Sequence, residues 1–120
     1  MAAPNIVSIA TINGKTAVAN VTTTATAIIT NSAASNKVFK INTLIIANID
    51  GVNVCDITVD LFRSSVAWAV ANTITVPADA SLVVISKENT IYLEEGDSLR
   101  LTASANNDLH GICSYEEITQ

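Results

Sequence analysis

The sequence predicts an all-β chain: residues 1–120 form one domain, a single antiparallel β-sandwich or jelly roll. Three observations predict it. Strand-sized segments recur about every ten residues with turn-forming residues between them, the spacing of sandwiches and jelly rolls. Two segments alternate strictly: Cys55, Ile57, Val59 and Leu61 against Asp56, Thr58 and Asp60, and Leu99, Leu101 and Ala103 against Arg100, Thr102 and Ser104. That period of two gives each strand a dry and a wet face. No segment carries a convincing amphipathic helix.

Taken in order, Ile6 to Ile12 reads as a first strand, Asn13-Gly14 as a hairpin turn, and Thr16 to Val21 as the returning strand. Val21 to Ser35 is almost entirely Thr, Ala, Ile, Ser and Asn, with Ala27-Ile28-Ile29 as its apolar centre and a loop over Asn31 to Asn36. Val38 to Phe62 organises the chain. Its first half holds the continuous apolar run Leu44 to Ala47, the pattern of a central strand covered on both faces. Asp50-Gly51 offers a tight reversal with positive φ, so the two halves read as the central hairpin of the sheet. Arg63 to Ala71 fits a single helical turn or a short strand equally well. Asn72 to Val76 alternates and is ended by Pro77, which cannot donate to a ladder. Leu82 to Ile85, Ile91 to Leu93, Leu99 to Ala103 and Leu109 to Tyr115 supply the remaining strands, separated by turns at Ser86 to Asn89, Glu94 to Ser98 and Asn106 to Asp108.

A 120-residue chain buries enough surface for a core without metals or staples. Hydrophobic residues make up 49%, but charged residues only 14% and aromatics 4%, which predicts a weakly charged surface. Such a surface suits a protein whose outside is partly buried against other subunits; Thr- and Asn-rich solvated strands are the alternative. The net charge of −5, with the basic residues scattered, argues against nucleic-acid binding. The opening residues lack the charge and apolar length of a signal or membrane segment, so the expectation is a cytoplasmic product released later, with no membrane partner.

Residues for chemistry are few. His110 is the one histidine; it lies on the strand face opposite Leu109, Gly111 and Cys113, and no Gly-x-Ser-x-Gly elbow accompanies it. Asp56 and Asp60 share a strand face about 13 Å apart, too far for a glycosidase pair. Glu94, Glu95 and Asp97 crowd one turn, which reads as a solvated charged cap in preference to a calcium site. Cys55 and Cys113 match no zinc or redox spacing and read as buried small hydrophobes, with a disulfide between them left open. The expectation is therefore no catalytic residue, no cofactor, no metal and no enzyme. Trp68 is either an interface anchor or a core filler.

From Val38 onward, the order of Ile41-Asn-Thr-Leu-Ile-Ile-Ala-Asn48, Ile57-Thr-Val-Asp-Leu61, Thr75-Val-Pro-Ala78, Leu82-Val-Val-Ile85, Ile91-Tyr-Leu-Glu-Glu-Gly-Asp-Ser-Leu99, Thr102-Ala-Ser-Ala105 and Ser114-Tyr-Glu-Glu-Ile118 resembles small β-sandwich virion structural proteins of tailed, cyanophage-like bacteriophages. The resemblance implies a non-enzymatic virion protein, assembled in the host cytoplasm as a homo-oligomer. Within that frame the expectation is an exterior capsid decoration or cement protein bound to the major capsid protein. A neck, collar or tail-fibre attachment part is one alternative, and a carbohydrate-binding host-adsorption module another. Candidate interface residues are Trp68 and Pro4, the latter in an extended N-terminal arm over residues 1–5.

Overall fold

The computed structural model describes residues 5–8 and 11–120. Among them are nine strands: β1 (Thr11–Asn20), β2 (Thr26–Thr30), β3 (Lys37–Asn48), β4 (Cys55–Arg63), β5 (Val66–Val76), β6 (Ser81–Ile85), β7 (Ile91–Leu93), β8 (Ser98–Ala103) and β9 (Leu109–Thr119). One 3-10 turn, Lys87–Asn89, joins β6 to β7, and no described helix is long and apolar enough to cross a membrane.

The strands form two antiparallel sheets. The β9 sheet runs β1-β9-β3-β6, with β7 alongside the first part of β3, and the β8 sheet runs β2-β8-β4-β5. The nesting is that of a jelly roll: β1 returns against β9, β2 against β8, β3 against β6 and β7, and β4 against β5 at the tip. Between the sheets lies one core. Ile41, Leu44 and Ile46 from β3, Ile57 and Val59 from β4, and Leu99 and Leu101 from β8 are all essentially inaccessible. These are the inward positions of alternating strands, and their burial is the main stabilising term.

Three sequence expectations are corrected. Residues 5–8 form a turn, not a strand: the Ser8 amide donates to the Asn5 carbonyl at 3.0 Å and the Val7 amide to Asn5 Oδ1 at 3.0 Å. Asn13-Gly14 makes no hairpin. β1 runs straight through it, with Asn13 opposite Glu117 and Gly14 opposite Glu116, so pairing to β9 overrides the local turn preference. Nor do the halves of Val38 to Phe62 pair. β3 and β4 lie in opposite sheets, and the intervening segment crosses between them. Gly51 does not adopt positive φ; Asp50 turns the chain instead, its Oδ1 accepting from the Val52 amide at 2.8 Å and the Asn53 amide at 3.2 Å. These bonds hold the Asp50 carboxylate below its usual pKa.

The hairpin at the tip is β4–β5, and it turns on Ser64 and Ser65, both at positive φ (51° and 63°), as a two-residue primed turn requires. Arg63 to Ala71 is therefore strand and turn, without a helical turn. Other expectations match: Val76 ends β5 before Pro77, and Gly96, at φ 88°, sits at the tip of the Glu94 to Ser98 turn.

Two buried asparagines fasten the ends. Asn48 Nδ2 donates to the Val76 carbonyl and to the Asn53 carbonyl, each at 3.0 Å, tying β3 to the end of β5 in the other sheet. Asn31 Nδ2 reaches the carbonyls of Lys37 (2.9 Å) and Leu93 (3.0 Å). Each amide satisfies backbone groups that the sheet ends leave unpaired.

Candidate interaction surface

The tip hairpin puts β5 at the outer edge of the β8 sheet, where β4 alone among the described strands pairs with it. The sequence Val-Ala-Trp-Ala-Val-Ala-Asn-Thr-Ile-Thr-Val has no charged residue and no proline. Soluble proteins usually blunt an edge with lysine, proline or a short strand, because its free amides and carbonyls template pairing with another chain. β5 is eleven residues long and keeps none of those features except a bulged register near Val59 of β4. Thr73 at φ 47° marks the bulge.

Trp68 stands opposite Leu61 in the ladder, and Leu61 stands opposite the buried Leu99. Directly opposed side chains lie on the same side of a sheet. The indole therefore shares the inward face of the sandwich, yet at the outermost strand it is 60% exposed. The core-filler reading fails: Trp68 is an exposed apolar side chain. Val66, Val70 and Ile74 on the same strand are exposed too. The other candidate interface residue, Pro4, lies outside the described residues, as does the rest of the expected arm up to it. Asn5 is described, and its amide donates to Gln120 Oε1 at 3.1 Å.

At the tip, the acidic turn is not simply a solvated cap. The Asp97 side chain is buried, and Arg63 clamps it: Nε donates to Asp97 Oδ1 at 2.8 Å, Nη2 to Asp97 Oδ2, and Nη2 also to Glu94 Oε2 at 2.8 Å. Asp97, followed by Glu94, holds the Arg63 guanidinium even more firmly protonated than usual. Arg63 thus occupies the oxygens that a cation would need. Glu95 Oε2 accepts from the Asn36 amide at 2.8 Å, while its Oε1 is buried without a hydrogen-bond partner among the described residues. Among the described residues, no three His, Cys, Asp or Glu side chains are grouped to hold a metal ion.

The remaining sequence candidates are separated. His110 is exposed on β9, with Asn20 and Ala47 across the ladder, and neither supplies a carboxylate or a nucleophile. Asp60 pairs with Arg100 (2.9 Å), and Asp56 Oδ1 accepts from Thr75 Oγ1 at 2.8 Å. Cys55 and Cys113 are both free and buried, on β4 and β9 in opposite sheets. Burial pushes the Cys113 thiol up to about 12. Sequence reasoning missed the role of Arg63, whose partners lie more than thirty residues away and become neighbours only through the fold.

No family model matches the chain, and no curated protein matches it. Among solved structures it is similar to a chain described under "Bacillus endospore appendages form a novel family of disulfide-linked pili". The TM-score is 0.53 at 14% identity, covering 91% of this chain and 87% of that one. At that identity the likeness extends to the fold alone, a small β-rich domain; the neighbour is an appendage protein, not a phage protein.

Proposed function

We propose that this chain is a non-enzymatic structural subunit, present in many copies on the exterior of a virus particle, where it decorates the head and ties neighbouring capsid subunits together. The observation that carries this reading is the β5 edge: eleven uncharged residues with Trp68 60% exposed on the core-ward side. An edge of that kind gains a strand partner through its free backbone groups, and the indole gives the contact an apolar anchor. Each Å² of apolar area covered would contribute about 25 cal/mol, and repetition over a symmetric lattice multiplies small contacts. The order of strand motifs that resembles phage virion proteins supports the same reading.

A second reading, a subunit of a filamentous appendage, is favoured by the fold likeness to the endospore pilus protein. The two cysteines count against the disulfide-linked version of it, since both are buried within the sandwich.

Gold-labelled antibody on intact particles, with mass spectrometry of the same preparation, tests the proposal. Label spread over the head is expected. Label confined to the neck or tail moves the subunit there, and absence of the chain from particles, with filaments labelled instead, overturns the proposal in favour of the appendage.

A further inference from the structure

The outer face of the β9 sheet carries an apolar row that the sandwich leaves bare. Val18 of β1 is directly opposite Ile112 of β9, Ile112 is opposite Ile45 of β3, and Ile45 is opposite Val83 of β6. Opposed residues share a face, so these four side chains line up across all four strands. Val18 is 73% exposed, Val83 58% and Ile112 42%, while Ile45 is half-buried between its neighbours. The flanking rows, led by His110 on one side and Ser114 on the other, contain no Lys, Arg, Asp or Glu. A shallow groove of about 320 Å³ runs along the β1–β9 end of the row, lined in part by Val18, His110 and Ile112.

We propose that this face packs against the same face of a second copy, forming a two-fold, sheet-on-sheet dimer. Three features select a second copy as the occupant. First, the row reads Val-Ile-Ile-Val, the same in both directions, so a two-fold axis along the strands lays valine on valine and isoleucine on isoleucine, like on like, as an axis along the row does for any sequence. An isologous interface, in which one patch meets its own copy, accommodates such a row without a mismatch in side-chain size. Second, β3 carries the run Leu44-Ile-Ile-Ala47, patterned for burial on both faces, but the chain itself covers only the Leu44 and Ile46 side. The missing layer is supplied by another sheet. Third, two copies each carrying a net charge of −5 repel, and they approach at least cost through a facet that bears no charged side chain.

Size sets the strength. Four strands about 4.8 Å apart and three outward rows about 7 Å apart give a facet of roughly 400 Å². That is about half the 800 Å² per partner of a standard stable interface, so the dimer belongs to the weak class and becomes effective where many copies are held together. This deepens the multi-copy reading given above, but it is testable on the purified chain without any particle, so its failure is distinct from failure of the virion assignment.

The test is sedimentation velocity from roughly 1 to 500 µM, a range that covers weak dimers. Wild type is expected to pass from monomer to dimer. Val18→Lys and Val83→Lys should each weaken the dimer more than about tenfold, because the two-fold buries each new ammonium without a partner. Both positions are strongly exposed, so neither variant threatens the fold, and circular dichroism confirms it. Each also lowers the net negative charge, so its effect is not general repulsion. Thr24→Lys, in an exposed bend away from the face, should leave the dimer intact. A wild-type chain that stays monomeric throughout, a dimer that survives both substitutions, or a dimer sensitive to only one of them would overturn the proposal.

Discussion

The two outer faces of the sandwich solve the same problem in opposite ways. On the β8 sheet the middle row reads Ala27, Arg100, Asp60, Ala69 across β2, β8, β4 and β5; on the β9 sheet the corresponding row is Val18, Ile112, Ile45, Val83. In the first, the chain satisfies itself: Arg100 Nε donates to Asp60 Oδ1 at 2.9 Å, and its guanidinium carbon lies 4.0 Å over the Phe62 ring. In the second, no other described residue covers the row. The difference teaches that low overall charge is not spread evenly. Polar groups in the middle row of one face are used internally for stability, and the middle row of the other bears no charged side chain.

Predictions follow from that contrast, the largest effect first. Gly111 lies under the apolar row on the core side of β9, where a Cβ would stand 2.7 Å from Leu101 Cδ1 of the other sheet. Gly111→Val should push the sheets apart and cost about 3 kcal/mol, read from urea unfolding. Asp60→Ala removes the carboxylate from the paired face and leaves Arg100, whose side chain is mostly buried, without its partner. A loss of about 1–3 kcal/mol is expected. Ile112→Thr, on the neutral face, should change monomer stability by less than about 1 kcal/mol while weakening association, because its outer surface is already exposed. If Ile112→Thr destabilised the monomer as much as Asp60→Ala, the contrast between the faces would be wrong.

The remaining effects are pH-dependent. Burial pushes the Cys113 thiol up to about 12 in the fold from 9.0 for the free group, so between those values the unfolded chain has lost a proton that the folded chain keeps. Stability should fall as pH rises through that window, and a thermal-melt series from neutral to alkaline pH measures it. Asp50 has the opposite sign: its folded pKa is depressed, so its contribution is present above the unfolded value and is lost on acidification through the folded one.

Much of the sandwich was legible because it is written locally. Alternation placed Ile57, Val59, Leu99 and Leu101 in the core, Pro77 ended a strand, and Gly96 turned a loop. What was illegible depends on register between distant strands. Asn13-Gly14 carries a strong hairpin signal, but ten consecutive pairs with β9 outweigh it. The buried asparagines at 31 and 48 look like loop residues until the carbonyls of Leu93 and Val76 arrive beside them. The Ser64-Ser65 turn carries no glycine to announce it. Of the candidate surface, Trp68 was visible in the sequence as an anchor or a core residue, and the fold decides its exposure. The apolar row was hidden, since Val18, Ile45, Val83 and Ile112 are scattered along the chain and meet only when four strands are in register.

The contrast between the faces is tested most directly by carbene footprinting with mass spectrometry, comparing the dilute chain with the same chain concentrated until it associates. Labelling should fall at Val18, Val83 and Ile112 on association and stay unchanged at Ala27 and Phe62 of the opposite face. Protection of Ala27 and Phe62 with the Val18–Val83 row still labelled would contradict it.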